Sequence, residues 1–262
     1  MTTLPYYEVN SFTDKPFQGN PAGVCLLRDW LDDAVLQALA AQNNLSETAF
    51  VVPKESDFEI RWFTPASEIN LCGHATLAAA HVVSSQRPSS ASPLRFLYKE
   101  GVLEVTPRNG KYDMLFPAWR GTPFNDTAGI SEAIGVPIKE AHLARELMVV
   151  LESQSAVTQF TPDFDKVREL PGLGLIITAT GHASDFVSRS FFPKVGIPED
   201  PVTGAAHCML APYWAEQLGK QTLYAKQLSA RGGEIWCRVD GDNVALTGAA
   251  ITYLKGEVFF GE

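Results

Sequence analysis

The stretch NLCGHATLAAAH, residues 70–81, places a cysteine, a glycine and a histidine directly before a run of small apolar residues. Residues 75–83 are apolar on almost every side of a helix, which predicts a helix enclosed by other structure. The stretch EDPVTGAAHC, residues 199–208, repeats half of this arrangement, with Gly204 before a second alanine-rich helix. The sequence therefore predicts two similar central helices.

The segments around these helices also recur. SDFEIRWFTP (56–65) and SDFVSRSFFP (184–193) share six residues in register and alternate as half-buried strands do. Two segments that alternate around a glycine-containing turn, 101–118 and 233–250, follow in the same order and predict hairpins. Three matching pairs in one order predict a duplicated unit. The helical stretch 32–42 lacks a counterpart, so the duplication is expected to be imperfect.

Bulk composition limits the possible partners. The 262 residues are 45% hydrophobic, which is enough for two domains with their own cores, and the net charge is −9 without a Lys/Arg-rich stripe. Nucleic acid and membrane surfaces are therefore not expected as partners. The sequence shows neither a membrane-spanning apolar run nor a signal peptide, and its four cysteines are widely spaced. These features predict reduced thiols and a cytoplasmic protein.

The glycines before the two central helices suggest a binding site. A helix N-terminus offers unpaired backbone N–H groups and partial positive charge, and a glycine there lets a ligand approach the backbone. Gly73 and Gly204 hold these positions, and bulk at Ala75 or Ala205 would block an anion. If the two halves face each other, both helix ends can bind one carboxylate or enolate in a shared cleft. Alternatively, the small residues only allow tight helix packing.

Three side chains near these glycines are candidates for proton chemistry. The helix dipole disfavours an imidazolium at His74, so we expect a largely neutral ring that can donate or accept a proton. Asp200 can orient a substrate amine or hydroxyl, or pair with His74. Glu47 lies between a helix end and an apolar strand, where partial burial would raise its pKa as an acid/base group requires. Alternatively, Glu47 is an ordinary solvated residue at the start of a strand.

Other readings of the cysteine and histidine residues are weaker. His74 and His81 lie about 10 Å apart along a helix, so a zinc site with Cys72 is not expected. The helix N-terminus would lower the pKa of the Cys72 thiol, but His74 is awkwardly close for a base. A two-thiol racemase would need a second cysteine where Asp200-Pro201 stands, so Cys72 is interpreted as a small buried residue. No nucleotide-binding motif is present, and no cofactor is expected.

Several motifs together resemble one known family. They are FTDKPFQGNPAGVCLL (12–27), NNLSETAFVV (43–52), RWFTPASEINLCGHATLAAAHVV (61–83) and EDPVTGAAHC (199–208). In this order they resemble the phenazine-biosynthesis (PhzF-like) isomerase family, whose fold is similar to that of diaminopimelate epimerase. The resemblance spans nearly the whole chain.

The resemblance implies an α+β fold of two pseudo-symmetric domains, each a barrel-like β-sheet around a central helix. Residues 1–120 would form the first domain and residues 121–249 the second, with a strand near 250–262 returning to the first. The resemblance also implies a homodimer, an active site in the cleft between the domains, and isomerase chemistry without a cofactor.

The same resemblance assigns roles to residues. Glu47 matches the catalytic acid/base position, Gly73 and His74 match the glycine–histidine pair of the first half, and Asp200 matches the aspartate of the second half. The residues expected to bind substrate are Asn20, Gly73, Ala75, Thr203, Gly204 and Ala205. Ala205 stands where the family often has serine, which casts doubt on the phenazine-precursor substrate.

The function expected from these observations is proton transfer on a small carboxylate-bearing substrate. One alternative is an amino-acid racemase or epimerase that uses Cys72 with a carboxylate. A second alternative is a non-catalytic protein that binds a small acid.

Overall fold

The computed structural model describes residues 2–87 and 92–261. The chain divides into two compact units. One contains Met1–Leu115 and Thr247–Glu262, and the other contains Phe116–Leu246.

The first unit is built from strands and two helices. In chain order they are β1 (Thr2–Ser11), β2 (Asn20–Leu26), α1 (Asp33–Asn43), β3 (Glu47–Lys54), β4 (Asp57–Phe63), β5 (Glu68–Ile69), α2 (Gly73–Ser85), β6 (Leu94–Tyr98), β7 (Gly101–Arg108) and β8 (Lys111–Pro117).

The second unit has a similar order of elements. They are β9 (Thr122–Pro123), α3 (Thr127–Ile134), β10 (Glu140–Leu143), β11 (Leu147–Val150), α4 (Gln154–Gln159), α5 (Phe164–Glu169), β12 (Leu175–Thr180), β13 (Phe186–Phe192), a 3₁₀ turn (Pro193–Val195), β14 (Ile197–Asp200), α6 (Gly204–Leu218), β15 (Thr222–Gln227) and β16 (Gly233–Asp240). The long strand β17 (Asn243–Phe260) begins in this unit and ends in the first.

The strands of the first unit form a closed eight-stranded barrel. Going round it, β1 pairs with β2, β2 with β3, β3 with β4, β4 with β6, β6 with β7 and β7 with β8. Strand β17 pairs with both β8 and β1, and it therefore closes the circle. The β7–β8 hairpin turns through Asn109 and Gly110 with φ of 51° and 77°, as the sequence pattern predicted.

Helix α2 fills the interior of this barrel. Its residues are buried on nearly every side, and it contacts β1, β2, β3 and β7. The small side chains on the helix let the sheet approach closely from all directions. The fit is tight: a Cβ atom at Gly248 of β17 would lie 2.4 Å from the ring of Phe12 and 3.0 Å from Leu77 of the helix. The prediction of an enclosed helix is confirmed.

The second unit repeats the strand pairing of the first. Antiparallel β10–β11, parallel β11–β12, antiparallel β12–β13 and parallel β13–β15 follow the pattern of β1–β2, β2–β3, β3–β4 and β4–β6. Helix α6 corresponds to α2 and is similarly buried, and Pro212 lies within it without ending it. The expectation that α1 lacks a counterpart was wrong, because the short helices α4 and α5 lie between β11 and β12. The predicted fold class is confirmed.

Helix α6 carries a histidine in the core of the second unit. His207 is fully buried, its Nδ1 lies 2.8 Å from the carbonyl oxygen of Thr203, and its ring packs on Phe186. Since burial disfavours the imidazolium, the pKa of His207 falls to about 4. The ring is therefore neutral in the folded protein at neutral pH, with Nδ1–H donating to Thr203.

Among the described residues, no helix combines the length and apolar character needed to cross a membrane.

This histidine predicts a pH dependence of stability. Its pKa is about 4 when folded and near the ordinary 6.5 when unfolded, so only the unfolded chain binds a proton there between these values. The free energy of unfolding should therefore fall by up to about 3 kcal/mol as the pH drops from 6.5 to 4. Urea unfolding of wild type and His207→Asn at pH 7 and pH 4.5 measures this contribution. Equal pH dependence in both proteins would contradict it.

Candidate active site

A buried carboxylate and a buried imidazole meet in the first unit. Glu47 is the first residue of β3, and His74 is the second residue of α2. The Oε2 atom of Glu47 lies 3.1 Å from Nε2 of His74, and their side chains are only 10% and 8% exposed. Neither atom has an aligned hydrogen bond with the described residues, so this is a close charge contact and not a linear bond. Two of the three predicted catalytic residues are thus adjacent.

Asn20 and Cys72 complete the surroundings of the imidazole. The Nδ1 atom of His74 lies 3.4 Å from Nδ2 of Asn20, at the start of β2, and 3.5 Å from Sγ of Cys72. Ser11 donates a hydrogen bond of 2.7 Å to the His74 carbonyl oxygen and fixes the backbone from the end of β1. Each ring nitrogen therefore faces a polar group. Cys72 belongs to this cluster, although the sequence analysis favoured a packing role for it and kept a catalytic thiol only as an alternative.

The charges in this cluster differ from those expected. Burial alone would lower the pKa of His74, but the negative charges of Cys72 and Glu47 raise it well above its usual value. Burial raises the pKa of the Cys72 thiol, and Glu47 adds to this effect. The expectations of a neutral His74 and a lowered Cys72 pKa, both based on the helix dipole, were wrong because the adjacent carboxylate and the burial dominate.

The N-terminus of α2 lies beside this pair. Cys72 occupies the cap position in an extended conformation, and its side chain does not cap the helix. Gly73 and Ala75 belong to the first turn, where the backbone N–H groups point away from the helix. One of the two helix ends that the sequence analysis expected to bind an anion therefore lies next to Glu47 and His74.

The predicted residues of the second unit also group together. Asp200 ends β14, Thr203 occupies the cap position of α6, and Gly204 and Ala205 begin that helix. The Thr203 hydroxyl donates a 2.6 Å hydrogen bond to Oδ2 of Asp200. This bond holds the carboxylate close to the start of the helix.

Gln227, at the end of β15, holds this loop in place. Its Oε1 accepts a 2.8 Å hydrogen bond from the Thr203 backbone N–H, and its Nε2 donates to the Asp200 carbonyl oxygen at 2.8 Å. Nε2 also lies 3.1 Å from the Thr203 hydroxyl. The sequence analysis missed Gln227, because a glutamine in the strand segment 222–227 carries no motif and its contacts arise only from the strand pairing.

The first unit also has an open groove away from this chemistry. It has a volume of about 390 Å³ and is lined by Trp30, Glu59, Arg61, Glu68 and Tyr98, among others. Arg61 is held there by Glu68 and Asp33. Because its guanidinium is already paired with carboxylates, the groove is a weaker candidate site than the Glu47–His74 cluster.

Three buried groups of the cluster could hold a metal ion. Ligand atoms of Glu47, Cys72 and His74 all lie within 4.8 Å of one another. The sequence analysis set zinc aside because His81 was too far along the helix. In the structure His81 lies elsewhere, with Nδ1 3.2 Å from the Tyr112 hydroxyl and Nε2 3.0 Å from that of Thr252. The third possible metal ligand beside Cys72 and His74 is therefore Glu47 and not His81.

Comparison with known proteins places this geometry in a family. The family model described as phenazine biosynthesis-like protein matches residues 9–256. An uncharacterized isomerase of Pseudomonas aeruginosa is 44% identical to the chain, and the alignment covers 97% of this chain and 98% of that protein.

Solved structures agree with this match. A phenazine biosynthesis protein of the PhzF family from Enterococcus faecalis superposes with a TM-score of 0.96 at 43% identity, covering 99% of this chain and all of that one. A hydroxyproline epimerase from Agrobacterium vitis shares the fold alone, with a TM-score of 0.64 at 8% identity, covering 98% of this chain and 92% of that one.

The hydrogen bonds of Gln227 lead to a stability prediction. Replacing it with leucine leaves the buried Thr203 N–H and the Asp200 carbonyl without this partner, which should cost about 2–4 kcal/mol in the free energy of unfolding. Gln86→Leu is the control, since that side chain makes one hydrogen bond, to Tyr7, from an exposed position. Urea unfolding measures both variants, and equal losses would contradict the role given to Gln227.

Proposed function

Because the chain belongs to the phenazine biosynthesis-like (PhzF) protein family, we propose that it is an isomerase that moves a proton on a small carboxylate-bearing substrate. Its relative from Pseudomonas aeruginosa is described as an uncharacterized isomerase, which supports the reaction class. The observation that carries the proposal is the 3.1 Å contact between Glu47 and His74 beside the N-terminus of α2.

Glu47 is the group that moves the proton. Its carboxylate takes a proton from a carbon near the substrate carboxylate, and the electron pair left on that carbon spreads into the adjoining π system as an enolate. The N–H groups in the first turn of α2, around Gly73 and Ala75, stabilise the negative charge that develops. Protonated Glu47 then returns the proton to another carbon of the same substrate, so no atom is gained or lost.

His74 lies beside Glu47 throughout this cycle. Its Nε2 is 3.1 Å from Oε2 of Glu47, where the ring can hold the carboxylate in position. Asn20 lies against Nδ1 and orients the ring. In this proposal His74 assists the base, and its ring carries a proton that it can transfer.

The spacing of the acid and the thiol favours transfer over one face of the substrate. Inverting a carbon requires two groups on opposite faces, each about 3–3.5 Å from that carbon, and hence about 6–7 Å apart. Ligand atoms of Glu47 and Cys72 lie within 4.8 Å of each other. This pair is too close to flank a carbon, so it suits a proton shift along one face better than a racemisation.

The second candidate function is the racemase or epimerase that uses Cys72 with a carboxylate. The observation in its favour is that the Cys72 thiol lies 3.5 Å from Nδ1 of His74, and burial raises the pKa of this thiol, which suits a group that delivers a proton. The spacing described above weighs against it. The third candidate is a protein that only binds a small carboxylic acid. Such a protein would have no need of the buried Glu47 carboxyl group.

The remaining assignments extend the same proposal. Asp200, Thr203, Gly204 and Ala205 of the second unit are proposed to bind polar groups of the substrate. Ala205 lacks the hydroxyl that many relatives are expected to have, so we propose a substrate with one polar substituent fewer at that point. The homodimeric state and the cytoplasmic location are parts of the proposal as well.

The variant Glu47→Gln tests the proposed acid. It should fold and bind carboxylates as wild type does, but lose turnover by about 10²–10⁴-fold, because an amide cannot shuttle the proton. The measurement is deuterium uptake from D₂O, followed by NMR over a panel of small unsaturated and α-substituted carboxylic acids. Glu104→Gln, an exposed carboxylate on β7, is the matched control and should keep full turnover.

Full exchange activity in Glu47→Gln would remove Glu47 from the mechanism. If wild type binds an acid of the panel without any exchange, the protein is a binder and the isomerase proposal fails.

The variant Cys72→Ala separates the two catalytic candidates. Proton transfer by Glu47 alone predicts turnover within about threefold of wild type, while a mechanism that uses the thiol predicts a loss of at least about 10²-fold. The same NMR assay decides between them. A large loss accompanied by an unchanged Tm would support the racemase or epimerase.

A further inference from the structure

The cluster around Cys72 has a chemical property that proton transfer does not use. It joins a thiol, an imidazole and a carboxylate, each from a residue that is about 7% exposed. Ligand atoms of the three lie within 4.8 Å of one another, and among the described residues this is the cluster with metal-ligand spacing. The Oε2 of Glu47 and the Nε2 of His74 are both buried and contact each other at 3.1 Å without an aligned hydrogen bond, so a cation bound by both atoms would replace this contact.

The chemistry of these ligands selects the metal. Thiolate and imidazole together favour zinc over magnesium or calcium, which prefer oxygen ligands alone. Three protein ligands with an open fourth position match zinc sites that keep room for water or a substrate. In a tetrahedral site, bond lengths of about 2.0–2.3 Å put neighbouring ligand atoms about 3.3–3.6 Å apart.

Two of the three ligands already have the spacing of such a site. The Oε2 of Glu47 and the Nε2 of His74 are 3.1 Å apart, near the expected edge of the tetrahedron. The Cys72 thiol lies 3.5 Å from Nδ1 on the other side of the ring and within 4.8 Å of the other ligand atoms, so it must move to join Nε2 and Oε2 around one ion. When Nε2 binds the metal, Nδ1 of His74 carries a proton and needs an acceptor. Asn20 presents its Nδ2 to Nδ1 at 3.4 Å, so its amide must turn to present Oδ1 before it can hold the ring.

We propose that Glu47, Cys72 and His74 bind one zinc ion, and that this ion inhibits the enzyme reversibly. On binding, the Cys72 thiol releases its proton to solvent, Nε2 of His74 binds in its unprotonated form, and the Glu47 oxygen donates an electron pair to the metal. The proton-moving carboxylate is then occupied. The inhibition rests on the function proposed above, whereas zinc binding itself does not.

Calorimetric titration of the whole chain with zinc chloride, with thiols kept reduced, tests the binding. Wild type should take up one ion per chain. Cys72→Ala removes one of three ligands and should weaken binding by at least about 100-fold, since loss of even an outer contact typically costs 10- to 100-fold. No uptake by wild type, or equal affinity in Cys72→Ala, would overturn the proposal.

Two control variants separate this site from other thiols and histidines. Cys25→Ala removes another buried thiol of the first unit, and His81→Gln removes the other histidine of α2. Both should bind zinc within about twofold of wild type. A loss in His81→Gln equal to that in Cys72→Ala would place the metal elsewhere and overturn the assignment.

Cobalt(II) provides a readout on the unaltered protein, in case Cys72→Ala is unstable. A cobalt ion bound by the thiolate should show a sulfur-to-metal charge-transfer band that zinc removes by displacement. Cobalt binding without that band would exclude Cys72 as a ligand and overturn the proposal.

Turnover measurements then test inhibition separately. Zinc should reduce deuterium exchange by wild type in proportion to occupancy, and a chelator should restore it. Zinc bound at the site with unchanged turnover would overturn the inhibition. If wild type shows no exchange with any acid even without zinc, the proposed function fails while the calorimetry still decides on the metal site.

Discussion

The enclosure of an apolar helix by a closed sheet is the constraint on which the structure depends. A helix with apolar residues on every side has no face that can meet water, so strands must surround it completely. In the first unit eight strands do so, and the alanines of α2 let them approach the helix axis closely. The N-terminal end of α2 offers backbone N–H groups that lack partners within the helix and can bind an anion. Its first turn is consequently where Gly73 and His74 are placed.

The sequence predicted the elements that have a local signal. Apolar residues all round α2 and α6, alternation in β4 and β13, and the Asn109-Gly110 turn each express a local preference of the chain, and each was found. The adjacency of Glu47 and His74 had no such signal, since it arises where β3 and the start of α2 are brought together by barrel closure. The resemblance to a family supplied Glu47. It did not supply the charge state of His74, which depends on a neighbour 27 positions away.

The two units have diverged at the strand position that Glu47 occupies in the first unit. The register of β3 with β4 and of β12 with β13 aligns Glu47 with Gly174. A Cβ atom at Gly174 would lie 2.3 Å from the ring of Phe192 and 2.5 Å from the Phe191 carbonyl oxygen, so no side chain fits there. The duplicated fold therefore has a buried acid at this strand position in only one copy. In the second unit the carboxylate is that of Asp200, which ends β14 shortly before α6. Thr203 and Gln227 hold Asp200 there by hydrogen bonds.

The return of β17 to the first unit determines which unit can complete its folding first during synthesis. The seam between β1 and β8 is filled by residues 247–260, which leave the ribosome only after the entire second unit. Until then the first barrel is a sheet with two open edges, and such edges can pair with other chains. The second unit is one continuous segment and can fold early. The first unit needs contacts between distant parts of the chain and is therefore expected to form slowly.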